Sequence, residues 1–284
     1  MSEEMTVRNV LLTMEYDGTR FCGWQRQPNV RTVQGLLEET LSSVLRFPVT
    51  VDGTSRTDAG VHALGQRASF HGDFGLPVEK IPQVVNRILN GRTPSPGENS
   101  DLRIIRAEEV PMDFHARYQC VGKTYVYRIW NREDMPVFCR NYFCRTEKPL
   151  DLKAMQAAAD EMTGTHDFQC FQATGSNPRQ TTVRTIFSLS VRRAEGQFSG
   201  SPVVEIEVTG DGFLYNMVRI IAGTLIEAGL HRMDPEDVRA VIASGQRQDA
   251  GPTAPAQGLY LKEIYYDAAR MRECAGSEAG AACR

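Results

Sequence analysis

The segment "TVQGLLEETLSSVLRF", residues 32–47, decides the fold because its apolar side chains recur at the spacing of one helix face. It follows "NVLLTMEY" (9–16), which alternates apolar and polar residues as a strand does. A second helix is predicted at "PQVVNRILNG" (82–91), with Pro82 in its first turn and Gly91 past its end. Three further strand candidates surround these helices: "VTVDG" (49–53), "QRASFH" (66–71) and "DLRIIRAEEV" (101–110). The first half is therefore predicted to be β-α-β-β-α-β.

The second half repeats this order. A strand is predicted at "KTYVYRIWN" (123–131), and a helix at "LKAMQAAADEM" (152–162) between an Asp151 N-cap and Gly164. The remaining predicted elements are strands at 183–193, 202–210 and 258–267, a long apolar helix at 213–230 and an extra helix at 234–245. We predict an α+β fold of two ferredoxin-like, RRM-like modules, with largely antiparallel sheets and a cleft between them. The expected divisions are an N-terminal module at 1–112, a C-terminal module at 113–267 and a flexible tail at 268–284.

Composition indicates a globular chain. Of 284 residues, 41% are hydrophobic and 24% charged, which suffices to bury a core. The acidic start lacks the basic and apolar regions of a signal peptide, and no apolar run reaches membrane-spanning length. The seven cysteines and five histidines show no metal-ligand spacing. We therefore expect a cytoplasmic protein with reduced cysteines, no metal and no membrane partner.

Basic and aromatic residues are interleaved between residues 117 and 145, although the net charge is −3. Only Glu133 and Asp134 oppose the six cations of this stretch, which are Arg117, Lys123, Arg128, Arg132, Arg140 and Arg145. Such a pattern can neutralise phosphates and stack bases. A pair of strands with ordinary solvated arginines would give the same pattern, so both interpretations stay open.

The loop "GTSRTDAGVHALGQ" (53–66) is too interrupted for a helix and too polar for a core. It carries Arg56 and Asp58 among glycines and joins the second and third predicted strands. A tight hairpin would account for the glycine and aspartate residues. Glycine-rich loops also carry functional groups, because glycine lets the backbone approach closely.

Six motifs stand in order between about residues 9 and 266: "EYDGTRFCGWQRQ" (15–27), "SRTDAGVHALGQ" (55–66), "DFHARY" (113–118), "KTYVYRIWN" (123–131), "FLYNMVRIIAG" (213–223) and "GLYL" (258–261). Together they resemble the motifs of the TruA-type tRNA pseudouridine synthases. The segment 90–103 is longer than the usual turn of that family, and the tail has no counterpart in it. The resemblance implies a homodimer that converts uridine to pseudouridine at positions 38, 39 and 40 in the anticodon stem-loop of tRNA. It also implies that no metal or organic cofactor takes part.

The resemblance identifies Asp58 as the nucleophile, since a carboxylate can attack an electrophilic carbon. Whether Asp58 adds to C6 of the base, attacks C1′ or acts through a glycal-like intermediate stays open. The resemblance places Arg219 beside Asp58, and an arginine inside the apolar helix predicted at 213–230 is costly unless its charge is paired. An alternative is that Arg219 extends to the surface. Arg56 is implied to help flip the uridine out of the stem, a step that costs a few kcal/mol.

Tyr125 matches the family tyrosine that packs on the flipped base, and its hydroxyl could help remove the C5 proton. Tyr127 alternates onto the same face of the predicted strand. Alternation alone leaves the choice between the two tyrosines open, and only the motif register favours Tyr125. Leu259 in "GLYL" is implied to add an apolar wall to the pocket.

Two other functions are weighed against this one. A glycoside hydrolase usually needs a pair of carboxylates, and the loop with Asp58 has no second acidic residue. A non-catalytic RNA-binding protein with two RRM-like modules would carry an RNP1 motif on a central strand. The sequence contains no such motif.

Overall fold

The computed structural model describes residues 7–93, 99–175, 181–195, 198 and 200–276. It has the predicted mixed α+β fold with mostly antiparallel strand pairing. The chain forms two compact units, Met1–Cys120 with Leu261–Ile264, and Val121–Tyr260 with Tyr265–Arg284.

Unit 1 extends to Cys120, so it includes the segment 111–120 that follows the strand ending at Val110. The sequence pattern places the boundary earlier, at residue 112. The side-chain amide of Asn9 donates to the carbonyl oxygens of Pro111 and Phe114, at 2.8 Å each. These bonds tie the segment to the first strand of unit 1.

Unit 1 contains the elements β1 (Arg8–Tyr16), α1 (Val33–Leu45), β2 (Asp52–Gly53), β3 (His62–Gly72), α2 (Ile81–Gly91) and β4 (Leu102–Val110). Strand β1 lies between β4 and β3 and is antiparallel to both, while β2 pairs with β3. Leu12 of β1 stands opposite Ala68 on one side and Ala107 on the other. Helix α2 contacts β4 and α1, and the core between sheet and helices includes Leu37, Leu41 and Phe70.

Three predictions in unit 1 need correction. The strand expected at 49–53 is only Asp52–Gly53, because the backbone amides of Val49 and Val51 bond to side chains of α1, Ser42 at 2.9 Å and Glu38 at 3.1 Å. Strand β3 in turn begins at His62 rather than at residue 66, so the loop that carries Asp58 is limited to 54–61. Gly91 closes α2 as its last residue instead of following it.

Unit 2 contains β5 (Gly122–Trp130), β6 (Cys144–Arg145), α3 (Leu152–Asp160), β7 (Gly164–Asp167), β8 (Val183–Arg193), β9 (Val203–Gly210), α4 (Met217–Gly229), α5 (Pro235–Ser244), β10 (Leu259–Tyr265) and α6 (Ala268–Gly276). Residues 261–264 of β10 group with unit 1. Strands β5, β9, β8 and β7 are neighbours in that order and antiparallel. Strand β6 runs parallel to β5.

Side-chain caps fix the helix ends of unit 2. Asp151 accepts hydrogen bonds from the amides of Lys153 and Ala154, which confirms the predicted N-cap of α3. Helix α5 begins with a capping box between Asp234 and Asp237. Helix α4 begins at Met217, four residues later than the predicted start at 213, because Asn216 adopts left-handed backbone angles with φ 59°.

The predicted flexible tail contains a helix. Helix α6 spans Ala268–Gly276, and Met271 is buried beside Gly122 of β5. Burial of this side chain gives the segment an apolar contact that its small, polar composition does not indicate. Residues 277–284 of the predicted tail, and 94–98 of the long turn, lie outside the described residues. No helix within the described residues is long and apolar enough to cross a membrane.

Candidate active site

The loop 54–61 is held at its base by a buried glutamine. Gln66 of β3 has no exposed surface, and its side-chain amide donates to the carbonyl oxygen of Ser55 at 2.7 Å. The amide of Ser55 donates back to Gln66 Oε1 at 3.3 Å. The amide of Thr54 also donates to the carbonyl of Arg67, at 2.9 Å. One side chain therefore fixes both main-chain groups of the residue before Arg56.

A buried tyrosine fixes the middle of the loop. The hydroxyls of Tyr16 and Thr57 are 2.7 Å apart, and Gln66 donates to the Tyr16 hydroxyl at 3.3 Å. The carbonyl of Thr57 accepts from the amide of Trp24 at 3.0 Å. Burial raises the pKa of Tyr16 to about 12, so its hydroxyl stays protonated at neutral pH. Thr57 is thus bonded through its side chain and its backbone, one residue before Asp58.

A tight turn follows Asp58. Its carbonyl accepts from the amide of Val61 at 3.1 Å, and Gly60 has φ 78°, which a type II turn requires at its third residue. The amide of Gly60 bonds to the Phe21 carbonyl at 3.4 Å. Gly23 has φ 87°, and a Cβ there would lie 2.9 Å from the Thr57 carbonyl oxygen. The glycine is needed because the motif at 15–27 packs its backbone directly on the loop.

These contacts present Arg56 and Asp58 from a rigid support. Arg56 is exposed and Asp58 half-buried, while Ser55 and Thr57 between and beside them are buried. Burial alternates along these residues, which agrees with the expectation that Arg56 and Asp58 share one side of an extended loop. The loop does join two strands, β2 and β3, as the hairpin interpretation requires. It is also held by buried side-chain hydrogen bonds from Gln66 and Tyr16, which a simple hairpin does not need.

The side chain of His62 lies inside the fold of unit 1. It is buried, and its Nδ1 accepts a hydrogen bond from the amide of Gly18 at 3.0 Å. Within the described part of the chain, no group of three or more His, Cys, Asp or Glu side chains is arranged to hold a metal ion.

In unit 2 the two candidate tyrosines differ in how their side chains are used. Tyr127 is fully buried, and its hydroxyl donates to the carbonyl of Pro255 at 2.8 Å. Burial raises its pKa well above the ordinary value. Tyr125 is 6% exposed, and its ring meets Phe213 edge to face, with 5.3 Å between centroids. Both rings are therefore buried, Tyr127 completely, and its hydroxyl holds residue 255.

Arg219 is fastened to the segment that precedes β10. Its Nε donates to the carbonyl of Ala254 and its Nη1 to the side chain of Asn216, both at 2.7 Å. The side chain is half-buried and therefore does not extend freely to the surface, which was the alternative. Leu259, 6% exposed, begins β10 directly after this segment. A Cβ on Gly258 would lie 2.8 Å from the Tyr127 ring, so the segment 254–258 fits closely against Tyr127.

The predicted site residues therefore fall into two groups. Arg56 and Asp58 share the loop 54–61 of unit 1. Arg219 and Leu259 contact or adjoin the segment 254–258 of unit 2, and Tyr125 lies on strand β5 of the same unit. The supporting roles of Tyr16 and Gln66 were not predicted from the sequence, although both residues lie in the motifs named there. Tyr127 was weighed only as an alternative to Tyr125. The alternating pattern of the strand predicted at 66–71 does not identify the partner of Gln66.

The basic stretch at 117–145 needs partial correction. Arg128 is largely buried and pairs with Glu205 at 3.0 Å, which Arg192 also contacts at 3.0 Å, so Arg128 does not serve as a phosphate contact. Its guanidinium also lies over the Tyr260 ring, 4.6 Å from the centroid. Two further arginines are exposed but paired in ion pairs, Arg132 with Asp134 and Arg145 with Glu147. Arg117 and Arg140 remain exposed cations of the stretch.

The family model described as tRNA pseudouridine synthase matches residues 12–119 and 158–267. The chain belongs to the tRNA pseudouridine synthase family. The matched ranges include the loop 54–61, the motif at 15–27 that packs on it, Arg219 and Leu259. Tyr125 lies between the two matched ranges. The predicted enzyme class, a tRNA pseudouridine synthase, is thereby confirmed.

Individual relatives extend the match over most of the chain. The tRNA pseudouridine synthase A 2 of Clostridium tetani is 45% identical over 92% of this chain and 99% of its own length. The tRNA pseudouridine synthases A of Acetivibrio thermocellus and Ruminiclostridium cellulolyticum are 43% and 45% identical, over 92% of this chain and all of their own. Family membership favours the enzyme over the non-catalytic RNA-binding protein.

Proposed function

We propose that this chain converts uridine to pseudouridine at positions 38, 39 and 40 of the anticodon stem-loop of tRNA, with Asp58 as the nucleophile. The observation that carries the proposal is the support of the loop 54–61. Buried hydrogen bonds from Gln66 and Tyr16 fix the residues on the N-terminal side of Asp58, and a glycine turn fixes those after it. A catalytic group held on such a frame loses little orientational freedom when substrate binds.

In the proposed reaction the bond from N1 of uracil to C1′ of ribose breaks, the base turns, and a bond from C5 to C1′ forms. C5 then loses its proton and N1 gains one, so atoms and electrons balance without an oxidant or a cofactor. Asp58 holds either the sugar or the base in the interval, by attack on C1′, by addition to C6, or through a glycal-like intermediate. All three modes require an ionised carboxylate at the start, and the guanidinium of Arg219 is its proposed partner.

Arg56 and Tyr125 are proposed to handle the flipped nucleotide. Arg56 is exposed beside Asp58 and helps displace the uridine from the stem. Tyr125 packs its ring on the base, and Leu259 adds an apolar wall. Tyr127 has no exposed surface, so the motif register that selects Tyr125 also selects the ring with the greater exposure, at 6%.

Three further features complete the proposal. Each unit is a ferredoxin-like module, supported in unit 1 by the β-α-β-β-α-β order and the strand order β4-β1-β3-β2. The enzyme acts as a cytoplasmic homodimer, so that one subunit can grip the body of the tRNA while its partner modifies the stem-loop. It uses no metal and no organic cofactor.

The test is Asp58→Asn, with Asp73→Asn as a matched loss of a half-buried carboxylate in the same unit. Activity is measured as tritium released from C5-labelled uridine in tRNA, and carbodiimide mapping locates the product. We expect Asp58→Asn to lose at least about 10³-fold in rate, the scale of removing a catalytic nucleophile, while tRNA affinity and fold are retained. Turnover near wild type in Asp58→Asn would remove the mechanistic assignment, and product outside positions 38–40 would correct the substrate site.

A further inference from the structure

The motif at 113–118 forms an exposed platform that the proposed reaction does not use. Tyr118 is 76% exposed, and the His115 ring lies against it with 4.2 Å between centroids at 41°. The guanidinium of Arg117 is on the ring as well, 5.9 Å from its centroid. A large aromatic side chain this exposed gives up burial that would otherwise stabilise the fold.

The turn that carries Tyr118 is rigid rather than frayed. The amide of Gln119 donates to the His115 carbonyl at 3.1 Å, and the amide of Arg117 to His115 Nδ1, also at 3.1 Å. The amide of Ala116 donates to the hydroxyl of Ser69 on β3 at 3.1 Å. The backbone that carries the ring is therefore held in one conformation, which lowers the entropy that must be lost when a ligand stacks on the ring.

The platform is tied to the loop that carries Asp58. The hydroxyl of Thr54 donates to the carbonyl of Ala116 at 3.0 Å, and Thr54 is the first residue of the loop 54–61. A buried threonine thus joins the residue between His115 and Arg117 to the start of that loop. Tyr118 and Asp58 are therefore carried by two segments of unit 1 that are directly hydrogen-bonded to each other.

We propose that Tyr118, with His115 and Arg117, is a stacking site for an unpaired nucleobase of the RNA substrate. The inference rests on the proposed function for the class of ligand. An aromatic face beside a guanidinium suits a base, because every base has a π-face and arginine adds a cation–π contribution. Bases within a duplex are already stacked on one another, so the site selects a loop nucleotide over a stem nucleotide.

The test compares two RNAs, a hairpin with the unpaired loop of an anticodon arm and a blunt duplex of the same stem. Affinity is measured by fluorescence anisotropy at one fixed ionic strength for wild type, Tyr118→Ala, Tyr118→Leu and Tyr118→Phe. Stacking of one base is worth about 1–3 kcal/mol. Tyr118→Ala and Tyr118→Leu should therefore bind the hairpin roughly 5- to 150-fold more weakly and the duplex unchanged. Tyr118→Phe, which keeps the ring, should match wild type on both RNAs.

A second readout locates the base. Hairpins with 2-aminopurine at each loop position in turn should show quenching on stacking at one position, and Tyr118→Leu should abolish it. Equal weakening on hairpin and duplex, or unchanged hairpin affinity in Tyr118→Ala, would overturn the inference. So would a change from dimer to monomer in Tyr118→Ala by light scattering, because Tyr118 would then lie in a subunit contact.

The outcome is separable from that of the proposed function. The binding comparison can be repeated in the Asp58→Asn background, where no turnover is expected. Wild-type protein that releases no tritium but shows the Tyr118-dependent hairpin affinity would refute the reaction and keep the stacking site. Normal tritium release with no effect of Tyr118→Ala on hairpin affinity would do the reverse.

Discussion

Replacing Gln66 by methionine should damage activity more than stability. Methionine is close to glutamine in size and apolar, so it fills the same buried volume without an amide. The change removes four hydrogen bonds of the Gln66 side chain. Two join it to the backbone of Ser55, at 2.7 and 3.3 Å, one comes from the amide of Arg67 at 3.1 Å, and one goes to the hydroxyl of Tyr16 at 3.3 Å. The Asp58 side chain itself is chemically unchanged.

The expected loss of stability follows from these four bonds. Each hydrogen bond between buried groups contributes about 0.5–1.5 kcal/mol net, so Gln66→Met should lower the free energy of unfolding by about 2–6 kcal/mol. A domain in the middle of the usual stability range of about 5–15 kcal/mol stays folded after that loss. The rate is more sensitive, because a displacement of roughly 1 Å in a catalytic group can cost about 10²-fold. We expect a 10- to 100-fold fall in kcat, on the order of that figure.

A matched control lies in unit 2. Gln156 of α3 also bonds two main-chain groups, the carbonyl of Leu189 at 3.1 Å and the amide of Val191 at 2.8 Å. Gln156→Met should therefore lose a similar free energy in urea denaturation and keep the wild-type kcat in the tritium-release assay. If both variants lose stability alike and both keep kcat, the support of the loop by Gln66 is structural only, and the argument from rigidity fails.

Two further predictions concern pH and salt. The pKa of Tyr16 is about 12 in the folded protein and about 10 in the unfolded chain. This difference contributes to the free energy of unfolding in full below about pH 10, and the contribution is lost as the pH rises towards about 12. The free energy of unfolding should fall by about 2–3 kcal/mol across that range. Tyr16→Phe should remove this fall. Tyr118→Phe, which removes the hydroxyl of an exposed ring, should leave it unchanged. Arg140→Glu should weaken tRNA binding and reduce the slope of log affinity against log salt by about 1–2, since it removes an exposed cation and adds an anion. A salt slope equal to wild type would exclude Arg140 from the phosphate contacts.

Local signals in the sequence predicted most of the elements. Asp151 and Asp234 were recognisable as N-caps because a cap bonds backbone amides two or three residues away. The strand expected at 49–53 was wrong for the opposite reason. Val49 and Val51 have the alternation of a strand and are buried, yet their amides bond to α1 side chains, and no local pattern encodes that choice.

Distance along the chain limited the prediction of the site in the same way. Arg128 was counted among the basic residues available to phosphate, because its partner Glu205 is 77 residues away. The bond between Gln66 and Ser55 spans 11 residues, and that between Tyr16 and Thr57 spans 41. The resemblance identifies the motif at 15–27 and the motif at 55–66 one at a time. Only the folded structure shows that the two motifs contact each other.

That contact gives the two motifs a single physical role. A loop with Arg56 and Asp58 has no helix or long strand to hold it, and its own backbone groups would be costly to bury without partners. Trp24 and Phe21 supply backbone bonds to Thr57 and Gly60, and the side chains of Tyr16 and Gln66 supply the rest. The glycines at 18 and 23 are required because a side chain at either position would collide with the loop. Substituting Gly23 would therefore disturb the same loop as removing Gln66, at Thr57 instead of at Ser55.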